Sequence, residues 1–376
     1  MRLLTNLTGC PSHLTVPQGH QVEILHARSW PEFRDQLARA DVILIECGDA
    51  LMYRVAAYYA MRPWLPKFLV VADLVLRKPL SLATRASAVV KRGLFAQVDH
   101  FIHFFRDVAG YAEHFGITAE RSSYVPFKVN TWGELPPSLP YSEEYVFAAG
   151  LSLRDYHTFV RVVGELGVPA AMSEFAFRNF ERPKGTAAIR REDLPPNLTL
   201  LPDSGRHDDF LTALARAKVV VVPTLKLSMC ASGISTYLDA MYLGKAVIVS
   251  EGPGASDVLT DQAVLVPPED GAALRDAIRT VWDDDGLRRR LGASGQAYAL
   301  SLGGKPAMVH RLIQESVAAK LGVSEQLEAD GKPQHQLARA AARWHPREPL
   351  PSQVVLGRPT NANAPAAMVG TMNNSK

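Results

Sequence analysis

Short apolar runs alternate repeatedly with longer amphipathic segments along most of this chain. In the first third of the chain, runs that are typical of buried parallel strands lie at residues 21–25, 42–46, 68–72 and 100–104. Helical spacing occupies residues 30–40, after a candidate cap at Ser29, and residues 106–115, before Gly116. This alternation predicts a βα series, and therefore a parallel sheet covered by helices.

The pattern fades at residues 126–141, where four prolines lie among polar residues, and then starts again. The second series predicts strands at 145–149, 169–172, 198–201, 219–222, 246–250 and 264–266. Its predicted helices lie at 155–166, 208–217, 235–243, 271–282 and 286–301. We therefore predict an α/β protein with two Rossmann-like, doubly wound domains that face an interdomain cleft, where ligands of such sheets bind.

The domain bounds follow from these patterns. We expect an N-terminal domain at 1–130, a linker at 131–143 and a C-terminal domain at 144–302. A helix at 303–325 is expected to cross back to the N-terminal domain, and the polar residues 326–376 are expected to form a flexible tail.

Composition excludes several classes of protein. A chain of 376 residues with 47% hydrophobic and 21% charged residues suits two ordinary globular domains. The three cysteines, Cys10, Cys47 and Cys230, argue against a disulfide framework and favour the cytoplasm. The sequence shows no secretory signal, no uninterrupted membrane span, no P-loop and no G-x-G-x-x-G after a first strand.

One segment has the pattern of an anion site. A strand at 219–222 is followed by a loop and then by Ser232, Gly233, Ile234, Ser235 and Thr236, which open a helix. A helix start offers unpaired N–H groups and a positive dipole end, and Gly233 allows a phosphate to approach the backbone.

Asp239 lies one turn beyond Ser235 on the same helix face, where its carboxylate would accept hydrogen bonds from ribose hydroxyls. In the alternative interpretation, Ser235 only caps the helix and Asp239 is a solvated surface residue.

The residues around this segment resemble a known family. The run YLDAMYLGKAVIVS at 237–250, with Gly252, Pro253, Gly254 and Asp257 after it, resembles the donor-binding signature of family 4 retaining glycosyltransferases. The run AGLSLRDY at 149–156 resembles the glycine-rich turn of that family, and the likeness extends over roughly residues 40–320.

The resemblance implies a GT-B fold, with an acceptor-side N-terminal domain and a C-terminal domain that binds a UDP- or GDP-sugar. Arg154 would contact the donor diphosphate as a binding and catalytic residue, while residues 232–236 and Asp239 would hold the donor. The acceptor would be a glycan or a lipid-linked glycan of cell-surface polysaccharide or glycoconjugate synthesis, and the reaction would need no cofactor or metal. The alternative for Arg154 is a surface arginine before a helix.

The sequence departs from the family pattern at two positions. Ala231 stands where the family has the first of two glutamates, and Leu151 stands where many members have an arginine. These departures leave two other interpretations, namely a non-catalytic GT-B partner protein that binds nucleotide sugar or glycan, and a sugar-nucleotide epimerase.

Two further features concern catalysis and metals. Asp73, at the end of an N-terminal strand, is the candidate carboxylate beside the transferred sugar, with a helix or turn cap as the alternative. The acidic run Asp283-Asp284-Asp285 is interpreted as the start of a helix and not as a metal site.

A basic region at 77–92 contains Arg77, Lys78, Arg85, Lys91 and Arg92, interspersed with the apolar residues Leu74, Leu76, Leu80, Leu82, Val89 and Val90. It predicts either a peripheral contact with the inner face of a membrane or a solvated helix face. Nucleic acid is not an expected partner.

Overall fold

The computed structural model describes residues 1–17, 19–46, 50–65, 67–135, 139–180, 188–325 and 327. Two parallel sheets lie within one compact unit of the chain. Cys47 and the predicted tail at 326–376, apart from Leu327, lie outside the described residues.

The N-terminal half, defined as residues 1–124, builds a seven-stranded sheet of order β2-β3-β1-β4-β5-β6-β7. Every neighbouring pair is parallel except β2 and β3. The strands are β1 Arg2–Thr5, β2 His13–Thr15, β3 Gln21–His26, β4 Val42–Glu46, β5 Leu69–Ala72, β6 His100–His103 and β7 Ser122–Tyr124. The four predicted strands are confirmed, whereas β1, β2 and β7 are additional strands of three or four residues.

The helices of this half are α1 Trp30–Gln36, α2 Ala50–Ala60, α3 Leu82–Phe95 and α4 Ala109–Phe115. The predicted start of α4 at residue 106 is wrong. The backbone N–H groups of Arg106 and Asp107 donate to the carboxylate of Asp257 at 2.6 and 2.8 Å, and the helix begins only after them. The assignment of Leu74 and Leu76 to an amphipathic surface is also wrong, because both side chains are buried in the core.

The C-terminal half, residues 139–302, builds a second sheet of order β10-β9-β8-β11-β12-β13, in which all pairs are parallel. Its strands are β8 Tyr145–Ala148, β9 Ala170–Ser173, β10 Leu198–Leu201, β11 Ala217–Val222, β12 Ala246–Ser250 and β13 Val264–Val266. Its helices are α5 Tyr156–Leu166, α6 Glu174–Asn179, α7 His207–Arg216, α8 Ile234–Tyr242, α9 Gly271–Asp283 and α10 Asp285–Leu302. Each predicted strand and helix of this series is confirmed within two residues at each end.

The strand order reverses between β8 and β11, so the carboxyl ends of these two strands flank a crevice where ligands of doubly wound sheets bind.

Helix α11, Lys305–Lys320, follows Gly303 and Gly304 and packs against β4 and β6 of the N-terminal half. Its apolar side chains join the core of that sheet: Met308, Val309, Leu312, Ile313 and Val317. The Arg311 guanidinium donates to the carbonyls of Leu302 and Phe127 at 2.7 and 3.0 Å. Helix α11 therefore ties the end of the C-terminal half to the N-terminal sheet.

None of the helices among the described residues has both the length and the apolar content that crossing a bilayer requires.

Candidate functional site

The site is built at the turn from β11 to α8. Gly233 is the residue before the first turn of α8, and its φ of +96° lies in the left-handed region. A Cβ atom at this position would lie 2.5 Å from Cγ1 of Val222 and 3.3 Å from Nη2 of Arg154. Glycine is therefore required here for both its conformation and its size. The interpretation of Ser235 as the helix cap is wrong, because Ser235 lies inside the first turn.

Arg154 lies in the loop between β8 and α5, beside this helix start. Its side chain is only 4% exposed, so the interpretation as a surface arginine is wrong. Nε donates to the Ala149 carbonyl at 3.0 Å, and Nη1 donates to the Ser152 carbonyl at 2.7 Å. A Cβ atom on Gly150, which has a φ of +105°, would overlap the guanidinium. The loop is thus folded tightly around Arg154 and directs Nη2 towards Gly233.

The charge of Arg154 is not compensated by an acid. Burial lowers the pKa of Arg154, and within the described part of the chain no carboxylate forms an ion pair with it. The backbone N–H groups of Ser235 and Thr236, at the start of α8, likewise have no acceptor among the residues with described positions. A buried cation beside unpaired helix N–H groups forms a site for an anion.

The loop that precedes α8 is apolar where it meets the N-terminal half. Met229 and Cys230 are buried in the core of that half, and Ala231 packs against it. A Cβ atom on Gly254 would lie 2.4 Å from Cβ of Ala231, so Gly254 has no room for a side chain beside Ala231. Position 231 therefore serves as a packing contact and brings no carboxylate to the site.

The other two predicted donor-binding residues of this loop have different surroundings. The Ser232 hydroxyl accepts a hydrogen bond from Ser228 at 2.8 Å and stays half-buried. Ile234 packs against the cores of both halves. Ser232 therefore offers a polar group to the site, whereas the side chain of Ile234 helps to join the two halves.

A cavity of about 430 Å³ lies beside the first turns of α8. The lining side chains are Asn130, Glu134, His207, Phe210, Ser235, Thr236 and Asp239. Ser235 and Asp239 therefore face the same space, as their spacing predicts. Asn130, Glu134, His207 and Phe210 belong to no motif in the sequence. The position of His207 and Phe210 after β10, at the carboxyl edge of the sheet, is the only signal that points to them.

Asp239 is only 1% exposed, so the interpretation as a solvated residue is wrong. Its Oδ1 accepts three hydrogen bonds, at 3.0 to 3.1 Å, from the N–H of Asn130 and from the N–H and hydroxyl of Thr131. Burial raises the pKa of Asp239, and the bonds from Thr131 and Asn130 oppose the rise. Oδ1 of Asp239 thus holds Asn130 and Thr131, which lie between the two halves of the chain. Oδ2 of Asp239 accepts no hydrogen bond from the described residues.

Polar residues also meet at the carboxyl edge of the N-terminal sheet. Asp73 follows β5 with a φ of +55°, and burial and the neighbouring Glu46 raise its pKa to about 7, against the effect of Lys128. Burial also raises the pKa of Glu46, which ends β4, against the effects of Lys305 and Lys128.

Among the described residues no backbone N–H donates to the Asp73 carboxylate, so the described part of the chain gives no support to a helix cap or a turn cap at this position. Glu46 is a further candidate residue at this edge that the sequence analysis does not name, although a polar residue at a strand end is a usable signal.

The acidic run at 283–285 has a structural role. Oδ1 of Asp284 accepts from the Leu287 N–H at 2.8 Å and so caps α10. Among the described residues, no three His, Cys, Asp or Glu side chains are grouped to hold a metal ion.

Comparisons with known proteins give one family match and several solved structures of similar fold. The family model "Glycosyl transferases group 1" matches residues 186–298, which include the β11–α8 segment. No curated protein sequence matches the chain.

Solved structures of similar fold include HepE from Anabaena in complex with UDP, with a TM-score of 0.57 and 15% identity over 80% of this chain and 86% of that chain. Sucrose-phosphate synthase from Thermosynechococcus elongatus has a TM-score of 0.54 and 14% identity over 85% of this chain and 88% of that chain. A glycosyltransferase from Rickettsia africae has a TM-score of 0.55 and 12% identity over 80% of this chain and 86% of that chain.

At these identities the solved structures establish the fold, which is GT-B with two Rossmann-like halves, as the sequence predicts. The GT-B fold and the matched group 1 segment together identify the chain as a glycosyltransferase.

Proposed function

We propose that this glycosyltransferase transfers a sugar from a nucleotide diphosphate sugar to a glycan or lipid-linked acceptor, with retention of the anomeric configuration. The observation that carries the proposal is the buried guanidinium of Arg154, which has no acidic partner in the described residues and adjoins the start of α8. A diphosphate supplies the charge that this arrangement lacks.

The donor fits the site in three parts. The diphosphate lies against Arg154, Gly233 and the N–H groups of Ser235 and Thr236, while Oδ2 of Asp239 accepts from the ribose. The base occupies the rest of the cavity beside His207 and Phe210, whose rings lie 6.3 Å apart. The UDP and UDP-glucose bound in HepE structures support a donor of this class, either a UDP- or a GDP-sugar.

The chemistry needs no cofactor or metal in this proposal. Negative charge grows on the leaving diphosphate as the glycosidic bond breaks, and the Arg154 guanidinium and the α8 dipole stabilise it. Because these groups are fixed before the donor binds, little reorganisation is needed. Retention and membership of family 4 rest on the resemblance of residues 237–257 to that family.

The acceptor approaches from the N-terminal half in this proposal. Asp73 lies at the carboxyl edge of that sheet and, with a pKa of about 7, exchanges its proton near neutral pH. It is the candidate catalytic carboxylate beside the transferred sugar. We place the enzyme in the cytoplasm, peripherally at the inner face of the membrane through the basic region at 77–92, in the synthesis of cell-surface polysaccharide or glycoconjugates.

Isothermal titration of the full chain with UDP and with GDP tests the donor site. We expect one nucleotide to bind and the binding to weaken in Arg154→Gln. If neither nucleotide binds, the proposal is wrong. Incubation with the donor sugar and no acceptor, followed by product analysis, separates transfer from epimerisation.

A further inference from the structure

A lysine lies in the segment that joins the two halves of the chain. We call residues 127–131 the joining segment. Phe127 packs against the cores of both halves, and the Val129 N–H donates to the carbonyl of Gly303 at 3.0 Å. Lys128 stands between these two residues, and its side chain is half-buried. The backbone at Lys128 is therefore held by contacts that form without a ligand.

The ammonium group of Lys128 has unused hydrogen-bond donors. Nζ donates to Oδ1 of Asn130 and lies 5.1 Å from the centre of the Phe127 ring. An ammonium carries three N–H groups, so the bond to Asn130 leaves two without an acceptor in the described part of the chain. Among the residues with described positions, no carboxylate forms an ion pair with Lys128. A half-buried cation with spare donors favours an anionic ligand.

Carboxylates from two parts of the molecule act on Lys128. Burial lowers the pKa of Lys128, and the charges of Asp239 and Glu46 oppose that effect. Lys128 in turn opposes the rise that burial and Glu46 cause in the pKa of Asp73. Asp239 lines the donor cavity, whereas Glu46 and Asp73 lie at the carboxyl edge of the N-terminal sheet. Lys128 is therefore within electrostatic range of both places.

This arrangement matches the order of groups in a nucleotide diphosphate sugar. In the proposed function, Asp239 accepts from the ribose and Asp73 lies beside the transferred sugar. The diphosphate connects the ribose to the sugar, so it must pass between these two carboxylates. Lys128 acts on both of them and is a cation, which is the charge that a diphosphate needs from its surroundings.

The C-terminal half supplies only part of that charge. The loop at 149–154 contains one cation, Arg154, and Leu151 in the same loop is apolar. Each phosphate of the donor carries a negative charge, and the leaving diphosphate gains another as its bond to the sugar breaks. A second cation, on the side of the diphosphate that faces away from Arg154, would balance this charge.

We propose that Lys128 is the second cation that binds the donor diphosphate, and that it contacts the phosphate next to the sugar. This inference rests on the proposed function, because it takes a nucleotide diphosphate sugar as the ligand. The Asn130 N–H is bonded to Asp239 at 3.0 Å, so the carboxylate that accepts from the ribose also fixes the segment that carries the ammonium. Arg154 and Lys128 then hold the diphosphate from two directions and stabilise the leaving group.

Isothermal titration of the full chain with UDP, UMP, GDP and GMP tests this role, and the comparison uses the base that the parent binds. Lys128→Met keeps the aliphatic stem beside Phe127 and removes the ammonium. We expect it to bind the diphosphate about twentyfold more weakly than the parent, which corresponds to the loss of a hydrogen bond between charged groups. The monophosphate lacks the phosphate that Lys128 contacts, so its affinity should stay within about twofold. Lys128→Arg keeps the charge and should bind the diphosphate within about threefold of the parent.

Lys218 offers a matched control. Its Nζ lies 4.3 Å from the centre of the Trp282 ring, and burial likewise lowers its pKa. Lys218 is the second residue of β11, at the opposite end of that strand from the site, so Lys218→Met should bind both nucleotides like the parent. Urea unfolding of each variant checks the fold. If Lys128→Met does not fold, Lys128→Gln, which keeps a polar end for Asn130, takes its place.

The possible outcomes separate this inference from the proposed function. A parent that binds neither UDP nor GDP overturns both. If the parent binds a diphosphate and Arg154→Gln weakens that binding, but Lys128→Met binds it like the parent, only the role of Lys128 is wrong. An equal loss of diphosphate and monophosphate affinity in Lys128→Met also overturns this role, because it assigns Lys128 to the support of Asp239 and the ribose. So does an equal loss in Lys218→Met or in Lys128→Arg.

Discussion

Replacement of Arg154 by glutamine tests the donor site most directly. In the ligand-free protein, Nε and Nη1 of Arg154 already hold the carbonyls of Ala149 and Ser152. Nη2 and the second hydrogen of Nη1 therefore remain for a diphosphate. We expect the variant to lose at least one hydrogen bond between charged groups, which contributes about 2 kcal/mol and corresponds to a roughly thirtyfold weaker affinity for UDP or GDP.

The effect on stability should be smaller than the effect on binding. Glutamine leaves one loop carbonyl without its donor, which destabilises the fold, but it also removes a desolvated charge that has no acidic partner among the described residues. These two terms oppose each other. We therefore expect the free energy of unfolding of the ligand-free variant to change by no more than about 1 kcal/mol.

The measurements are isothermal titration with each nucleotide and urea unfolding without nucleotide. Arg161→Gln on α5 is a matched control, because that arginine is exposed and forms a surface pair with Glu165. It should bind nucleotide like the parent. If Arg154→Gln binds within threefold of the parent, or if Arg161→Gln weakens binding equally, Arg154 is not the diphosphate contact.

The remaining predictions concern the helix start, the contact between the halves and the N-terminal carboxylate. Gly233→Ala should lower the free energy of unfolding by about 2 kcal/mol or more through its φ of +96° and its overlap with Val222, measured by urea unfolding. Gly322→Ala, with a φ of +70° and no neighbour within 4 Å, reports the backbone strain alone, and an equal loss there would contradict the packing argument.

Asp257→Ala should lower the free energy of unfolding by about 3 kcal/mol, because it leaves backbone donors of both halves unpaired. Asp257→Asn keeps an acceptor and should lower the free energy of unfolding by less. A larger loss in Asp257→Asn than in Asp257→Ala would refute this account. The raised pKa of Asp73 means that the folded protein binds more protons than the unfolded chain between about pH 4 and pH 7. The stability of the parent protein should therefore decrease as pH rises through this range, and Asp73→Asn should become progressively more stable relative to the parent. Urea unfolding at pH 5 and pH 8 measures the difference in free energy of unfolding between the two proteins. If that difference does not change with pH, the raised pKa of Asp73 is wrong.

The order and type of most elements follow from the amino-acid sequence alone, and the same patterns predict where the candidate anion site lies. A buried strand such as β11 is marked by consecutive apolar residues, and a helix such as α5 by apolar residues at helical spacing, and both signals lie within a window of about ten residues. Strands β1, β2 and β7 lack this signal, because each contains no more than two apolar residues, whereas the equally short β13 is apolar throughout. The resemblance located Arg154, which periodicity alone does not distinguish from a surface residue.

The contacts that each element makes with distant parts of the chain are visible only in the folded protein. The start of α4 depends on Asp257, which lies 150 residues beyond Asp107, and the cavity joins residues from three separate segments. Gly254 has no room for a side chain because it lies against Ala231, and the apolar residues Leu82, Val89 and Val90 of α3 are exposed. A periodic pattern specifies that one face of a helix is apolar, but the neighbours that cover or expose that face come from distant parts of the chain, and packing alone brings them together.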